Sequence, residues 1–295
     1  MLVVNRYLSA VPILGIVTLV ALPFPSVAIT KPDYNATVFF ERGQAQAESD
    51  QHQDAIASYT TAIRLDPEYI DAYNQRGNSY YQLKQYQQAI TDYTEAISLD
   101  AEALNVYYNR ANSYYQLEEY ENAIVDLTQV ISFDPEDVDA YYRRGNSYYQ
   151  LQKYQKAIAD YTTIVSLDPQ DVDAYYNRGN SYAQLKQYQQ AVADYTRAIK
   201  LTSNYARAFL YRGISYTELE QYQQAIADYT QVIVLTPQDA DAYILRGLNY
   251  GLLNNYPQAI KDIQTAADLY LKQGNTESYQ EMIEIIRQIK RSPLS

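Results

Sequence analysis

Side chains able to act as nucleophile, general base or metal ligand are scarce in this chain. It has no cysteine and a single histidine, His52. That excludes disulfides, thiolate chemistry, cysteine-based zinc sites and any catalytic triad that needs Cys or a second His. No phosphate-cradling glycine loop is present. Carboxylates gather at two turns, Asp134, Glu136, Asp137 and Asp139, then Asp168, Asp171 and Asp173. Neither turn has the glycine and terminal glutamate of an EF-hand loop, so both read as helix-capping turns rather than calcium sites. His52 is expected to pack or to be solvated. No cofactor, metal or catalytic residue is expected. The net charge of −12, with no Lys/Arg cluster, argues against nucleic acid as a partner.

What does recur is polar but not reactive. Arg42, Arg76, Arg110, Arg144, Arg178, Arg212 and Arg246 stand 34 residues apart. Sixteen residues after each of the last six comes an aspartate: Asp92, Asp126, Asp160, Asp194, Asp228 and Asp262. The spacing suggests ion pairs across a helical hairpin rather than ligand contacts. As exposed pairs they are expected to contribute about 0–1 kcal/mol each.

The elements that carry these columns share the 34-residue step. Ala55, Ala89, Ala123, Ala157, Ala191, Ala225 and Ala259 keep it, and a glycine follows every column arginine except Arg110, which precedes Ala111. Within one unit Tyr107, Ala111 and Tyr114 fall on one helical face, expected to be buried, and Ala123, Leu127 and Val130 form a second apolar stripe facing it. A small residue after each arginine suits a close helix crossing, at about 1 kcal/mol of helix propensity for glycine. Asp66-Pro67, Asp134-Pro135 and Asp168-Pro169 end the second helices, and the next helices start near Asp71, Asp139 and Asp173. A fixed period with two amphipathic segments per unit is the mark of a helix-turn-helix solenoid.

These columns resemble the tetratricopeptide repeat. The resemblance includes the aromatic opening each unit at Phe39, Tyr73, Tyr107, Tyr141, Tyr175, Phe209 and Tyr243, the small residue, the Tyr column from Tyr80 to Tyr250, and the closing proline. Gln46, Ala101, Ser203 and Ala111 are local departures. The resemblance implies an all-α, right-handed α-solenoid of seven repeats (36–69, 70–103, 104–137, 138–171, 172–205, 206–239 and 240–273). A capping helix over 274–291, with Met282, Ile285, Ile286 and Ile289 on one face and Thr276 as its cap, and a tail over 292–295 would follow. In the family, one face of the first helix lines a concave groove. Transferred here, that face carries an Asn-Tyr stripe: Asn74, Asn78 and Tyr81; Tyr108, Asn112 and Tyr115; Tyr142, Asn146 and Tyr149; Tyr176 and Asn180. Some members clamp a C-terminal carboxylate, and Asn78, Asn109 and Arg143 match that clamp while Asn74 and Asp139 replace its lysines. Asn177 is the repeat-5 counterpart of Arg143.

The expected partner-binding set is therefore Asn78, Tyr81, Tyr108, Asn109, Asn112, Tyr115, Tyr142, Arg143, Asn146, Tyr149, Tyr176, Asn177 and Asn180. The stripe turns apolar at Leu210, Ile214 and Leu248, and Arg143 is its main charge. The alternative is that Asn and Tyr bond to neighbouring repeats and only hold the superhelix.

Residues 1–28 differ in kind. Arg6, an apolar run from Leu8 to Leu22 and Ser26-Val27-Ala28 suit a secretory signal peptide cleaved after Ala28, leaving a charge of −13. A retained anchor through residues 8–22 is the rival, although the run is short for a span of roughly 20 residues and contains Pro12. Residues 29–35 read as a linker, and Asn35-Ala36-Thr37 is a glycosylation sequon. The Tyr- and Gln-rich wording resembles bacterial, especially cyanobacterial, members, which implies export to a periplasm or lumen. Repeats and leader leave no room for a catalytic domain. The expected function is a non-enzymatic scaffold or adaptor that binds a protein or peptide segment, in assembly of an exported or membrane-associated complex. A membrane-tethered assembly factor and an enzyme's regulatory subunit are the alternatives.

Overall fold

The computed structural model describes residues 35–291. The leader, most of the linker and the tail lie outside the described residues. Within them the chain is all-α. It forms seven helical hairpins, α1–α2 (Ala36–Glu48, His52–Leu65), α3–α4 (Ile70–Gln82, Tyr86–Leu99), α5–α6 (Leu104–Gln116, Tyr120–Phe133), α7–α8 (Val138–Gln150, Tyr154–Leu167), α9–α10 (Val172–Gln184, Tyr188–Leu201), α11–α12 (Ala206–Glu218, Tyr222–Leu235) and α13–α14 (Ala240–Leu252, Tyr256–Lys272). A last helix, α15 (Thr276–Arg291), follows. Each helix packs on the next, and first helices also approach one another across repeats, α1 to α3, α3 to α5, α5 to α7 and α9 to α11, so they line the inner side of the solenoid.

The turns explain why the hairpins close. Between helices, Asp50, Lys84, Glu118, Gln152, Lys186, Glu220 and Asn254 all adopt left-handed φ values of 57–60°. In α3, Lys84 N–H donates to the Tyr81 carbonyl at 2.8 Å and Gln85 N–H to the Tyr80 carbonyl at 2.9 Å, which satisfies the carbonyls left open at the helix end. Glycine usually takes this position, yet none of the seven is glycine. Between repeats, Asp137, Asp171 and Asp239 cap α7, α9 and α13, and Asp66, Asp100, Asp134 and Asp168 accept backbone N–H bonds two residues on. The acidic turns therefore cap and close the chain.

Where the two helices of a hairpin cross, glycine and tyrosine go together. A Cβ on Gly43, Gly77, Gly145, Gly179 or Gly213 would lie 2.5–3.0 Å from the ring of Tyr59, Tyr93, Tyr161, Tyr195 or Tyr229. In repeat 3 the ring is replaced by Leu127, fully buried, and the glycine by Ala111. The one departure from the Arg-Gly pair is thus matched by a smaller partner across the hairpin. Tyr107 and Tyr114, expected in the core, are only half-buried against it. Their rings share that side of the helix with an arginine.

The arginine column corrects the expectation of exposed pairs. Six arginines, Arg76 to Arg246, bind the following aspartate with two parallel bonds, Nε to Oδ2 and Nη2 to Oδ1, at 2.6–2.9 Å. Every one of these aspartates is buried. The remaining Nη1 donates to a threonine of the preceding repeat, Thr60, Thr94, Thr128, Thr162, Thr196 or Thr230, at 3.0–3.2 Å. Each guanidinium also lies 5.4–5.7 Å from the centroid of the aromatic three residues before it. Burial pushes the Asp92, Asp160, Asp194 and Asp228 carboxyls up despite the pairing arginine.

At the C-terminal end, Gly274 takes a φ of 77° and Asn275, not Thr276, caps α15 by accepting the Ser278 N–H at 3.1 Å. Met282 and Ile286 are buried against Ile263 and Ala267 of α14. Ile285 packs on the same cluster, as expected, and with Ile289 borders an open apolar cavity that Ile263 also lines.

Candidate functional site

The predicted residues sit on the inner first helices, and most of them meet around cavities. Asn78, Tyr81, Asn109 and Asn112 border one of about 310 Å³, together with Gln82 and Tyr93. Tyr115, Asn146, Tyr149, Asn177 and Asn180 border a second of about 320 Å³, together with Gln150 and Tyr161. Tyr108 and Asn109 lie at a third of about 350 Å³ whose rim carries Asp134, Asp137 and Asp139. The expectation of a stripe with Arg143 as its main charge is corrected there: the turn carboxylates make that rim negative.

Three predicted residues do not line these cavities. The Tyr142 hydroxyl donates to Asp171, and burial with that carboxylate pushes the phenol well up. Arg143 lies 5.5 Å over the Tyr115 ring. Tyr176 packs against Tyr195, Tyr205 and Tyr211, with centroids 5.2–6.0 Å away. The groove tyrosines are held by rings of their own: Tyr81, Tyr115 and Tyr149 meet Tyr86, Tyr120 and Tyr154 edge-on at 5.2–5.3 Å. Such pairs fix a ring's position with little flexible surface around it.

The asparagines are partly committed. Tyr93, Tyr161 and Tyr195 donate their hydroxyl protons to Oδ1 of Asn78, Asn146 and Asn180 at 2.7–2.8 Å. Asn109 donates across the repeat boundary to Oδ1 of both Asn74 and Asn78, at 3.2 and 3.1 Å. Asn74, placed on the stripe, is buried. The stripe therefore serves both readings: Asn78 is bonded at both ends, through Oδ1 to Tyr93 and Asn109 and through its NH₂ to Gln75, whereas Asn146 holds the fold with its oxygen and turns its NH₂ away from it. The tyrosines behind the asparagines, Gln82 and Gln150 were missed. Their signal was a column 15 residues after the asparagines, across the hairpin.

In repeats 6 and 7 the expected apolar end exists and keeps Leu248, but other residues complete it. Leu245, Leu248, Leu252, Tyr256, Ile263, Ile285 and Ile289 line a cavity of about 460 Å³, whereas Leu210 and Ile214 do not. Thr217 stands in for the asparagine, 3.1 Å from the Tyr229 hydroxyl, and donates to Asn249 Oδ1 at 3.0 Å.

His52 starts α2, packed rather than solvated, with Nδ1 buried and without a partner. Among the described residues no helix is long and apolar enough to cross a membrane.

A family model described as TPR repeat matches residues 43–84, 111–152, 145–186 and 213–253, and one described as Tetratricopeptide repeat matches 70–102 and 172–205. The chain belongs to the tetratricopeptide repeat family. Its repeats make it a protein-interaction scaffold by family. No curated protein matches the chain. Among solved structures, a tetratricopeptide repeat protein from Parabacteroides merdae is 23% identical, with 84% of this chain and 98% of that one covered and a TM-score of 0.60. A crystal structure of MamA is 26% identical, covering 56% and 96%, with a TM-score of 0.55. YrrB, described as a TPR protein with an unusual peptide-binding site, is 23% identical, covering 65% and 97%, with a TM-score of 0.55.

Proposed function

We propose that this tetratricopeptide repeat protein is a non-enzymatic adaptor that holds an extended or helical protein segment along the first helices of repeats 2 to 5. The observation that carries the reading is the succession of cavities walled by fixed tyrosine rings and by asparagine amides, of which Asn112, Asn146 and Asn177 keep uncommitted groups. Rigid tyrosines offer contact area at low entropic cost, and amides pair with backbone groups whatever the side chains. The apolar end of the segment enters the cavity at Leu245, Leu248 and Leu252. Lysines of a carboxylate clamp are replaced by Asn74 and Asp139, and Asn109 already bonds Asn74 and Asn78. Recognition therefore does not require a free C-terminus.

The composition of residues 1–28 supports export to a periplasm or lumen, with cleavage after Ala28, and a role in assembly of an exported or membrane-associated complex. The mass of the mature N-terminus tests this: a chain that keeps Met1 or Leu2 and fractionates with membranes makes it a tethered factor.

The groove reading is tested with peptides selected from a random-sequence display library on the immobilised chain. The Asn177 side chain makes no hydrogen bond within the described residues, so Asn177→Ala should leave the thermal midpoint nearly unchanged, while adding Tyr149→Ala removes a ring packed on Tyr154 and the core and should lower it, so binding is compared at a temperature where both chains are folded. Affinity for a selected peptide, read by fluorescence anisotropy, should fall at least tenfold. Equal binding by the double variant would move the site to another face.

A further inference from the structure

The asparagine stripe is not uniform. In repeats 2, 4 and 5 a tyrosine hydroxyl donates to the asparagine carbonyl oxygen. With the hydroxyl donating, the amide oxygen faces the tyrosine and the NH₂ is turned away. Asn146 therefore presents donors to the groove, while the NH₂ of Asn180 is directed to the Tyr176 hydroxyl. What Asn146 can take from a bound chain is an acceptor, a backbone carbonyl.

Repeat 3 breaks the rule. Leu127 occupies the tyrosine position and brings no hydroxyl, and Asn112 Oδ1 is buried with no hydrogen-bond partner. Turning the amide over would put NH₂ against the same leucine, again unpaired. Neither orientation is held by the chain, and an unpaired buried oxygen is unfavourable. Asn112 borders the cavity with Asn78, Tyr81 and Asn109, and the NH₂ of Asn109 is already given to Asn74 and Asn78. Of the stripe amides in repeats 2 to 5, Asn112 is the one whose carbonyl is uncommitted.

We infer that Asn112 is the register-setting contact of the groove: its amide turns to accept a backbone N–H from an extended peptide, while Asn146 donates to a carbonyl of that peptide. The inference rests on the groove reading above and adds polarity to it. A row of donors alone accepts a strand at many offsets and in either direction. An acceptor with no internal partner, at a place where the neighbouring repeats turn their oxygens toward a tyrosine, favours one offset. Leucine in place of tyrosine at position 127, matched by Ala111, is then the substitution that creates the contact.

The test restores the missing hydroxyl. Leu127→Tyr is combined with Ala111→Gly, since a Cβ at the equivalent glycines would lie 2.6 Å from the Tyr93 ring and 3.0 Å from that of Tyr161. The double variant copies the neighbouring repeats, so its thermal midpoint should equal or exceed that of the parent. Its affinity for a library-selected peptide should fall about fivefold to tenfold, the loss of one hydrogen bond. On the parent, N-methylation at one backbone position of the peptide should reproduce that loss, and on the double variant the same methylation should add nothing. If the double variant binds the parent's peptide equally well while Asn177→Ala with Tyr149→Ala does not, Asn112 is not the register contact and the groove reading stands. Unchanged binding in both variants, or a library that enriches no peptide, overturns both. Should the double variant fail to fold, Asn112→Leu decides: it removes the unpaired amide, should raise the midpoint, and must weaken the peptide by the same factor.

Discussion

Each first helix carries two polar columns, and they treat their hydrogen bonds differently. Arg144 and Asn146 are two positions apart, about 200° round the helix, so they face opposite ways. On the arginine side the edge that faces the carboxylate is fully paired: two bonds go to Asp160, a third to Thr128, and the ring of Tyr141 covers one face of the guanidinium. On the asparagine side the count is deliberately short. Asn146 accepts from Tyr161 and keeps its NH₂ facing the groove, the Asn177 side chain makes no hydrogen bond within the described residues, and Asn112 has a buried oxygen with no donor. Saturated polar groups hold a repeat protein together, and unsaturated ones are where a partner can add bonds.

That contrast can be broken from either side. The largest effect is expected from alkali, which strikes the buried phenols behind the asparagine stripe. Burial pushes the Tyr59 and Tyr229 phenols up to about 12 and those of Tyr93, Tyr161 and Tyr195 higher still. The folded chain holds these protons while the unfolded one releases them near 10.0, so the contribution is intact below that pH and is lost as pH rises above it. Phenolate absorbance should show these tyrosines ionising late and together with loss of helical circular dichroism. Early, gradual ionisation would mean that the wall behind the groove is open to water.

On the saturated side, Asp160→Ala leaves the Arg144 guanidinium unpaired in a buried place. The expected loss is about 3–5 kcal/mol in urea unfolding, with little change in groove affinity if the partially unfolded fraction is accounted for. Next in size, one column should give two answers. Asn146→Ala strands the Tyr161 hydroxyl and is expected to cost about 1–2 kcal/mol, whereas Asn112→Ala strands nothing and should be neutral or mildly stabilising. Equal losses at the two positions would erase the distinction on which the register contact depends. The smallest effect tests the turns: Glu118→Gly relieves a left-handed backbone at a non-glycine residue and should gain about 0.5–1 kcal/mol, visible as a raised melting midpoint.

The period, the hairpins and the cap were legible because they depend on residue type at fixed spacing. Arg, Gly and Ala every 34 residues leave few other folds open, and the Arg-to-Asp step of 16 already placed the partners on facing helices. Its strength was not legible. Burial of Asp92 or Asp160 depends on how tightly α3–α4 and α7–α8 pack on the preceding hairpin. The pairing of Ala111 with Leu127 was readable in principle as two departures in one repeat, but only the crossing distance shows that they answer each other. The orphaned Asn112 oxygen follows from that same pair. Turn residues such as Lys84 and Glu118 gave no warning of positive φ, because a closing hairpin overrides their preference. The capping role of Asn275 was one residue from its expected place at Thr276, within the usual uncertainty of helix ends.

The threonine at the far end of each arginine contact has a mechanical consequence. Thr60, Arg76 and Asp92 join the second helix of one repeat to both helices of the next. The six such triads overlap along the chain, so pulling its two ends apart loads them in series, like stitches in a seam. In the first repeat Ser58 stands where the later repeats have aspartate, and Arg42 makes no ion pair within the described residues. A seam with one unfinished stitch opens from that end. Under force, the first hairpin should peel away at low load, while the groove of repeats 2 to 5 stays closed.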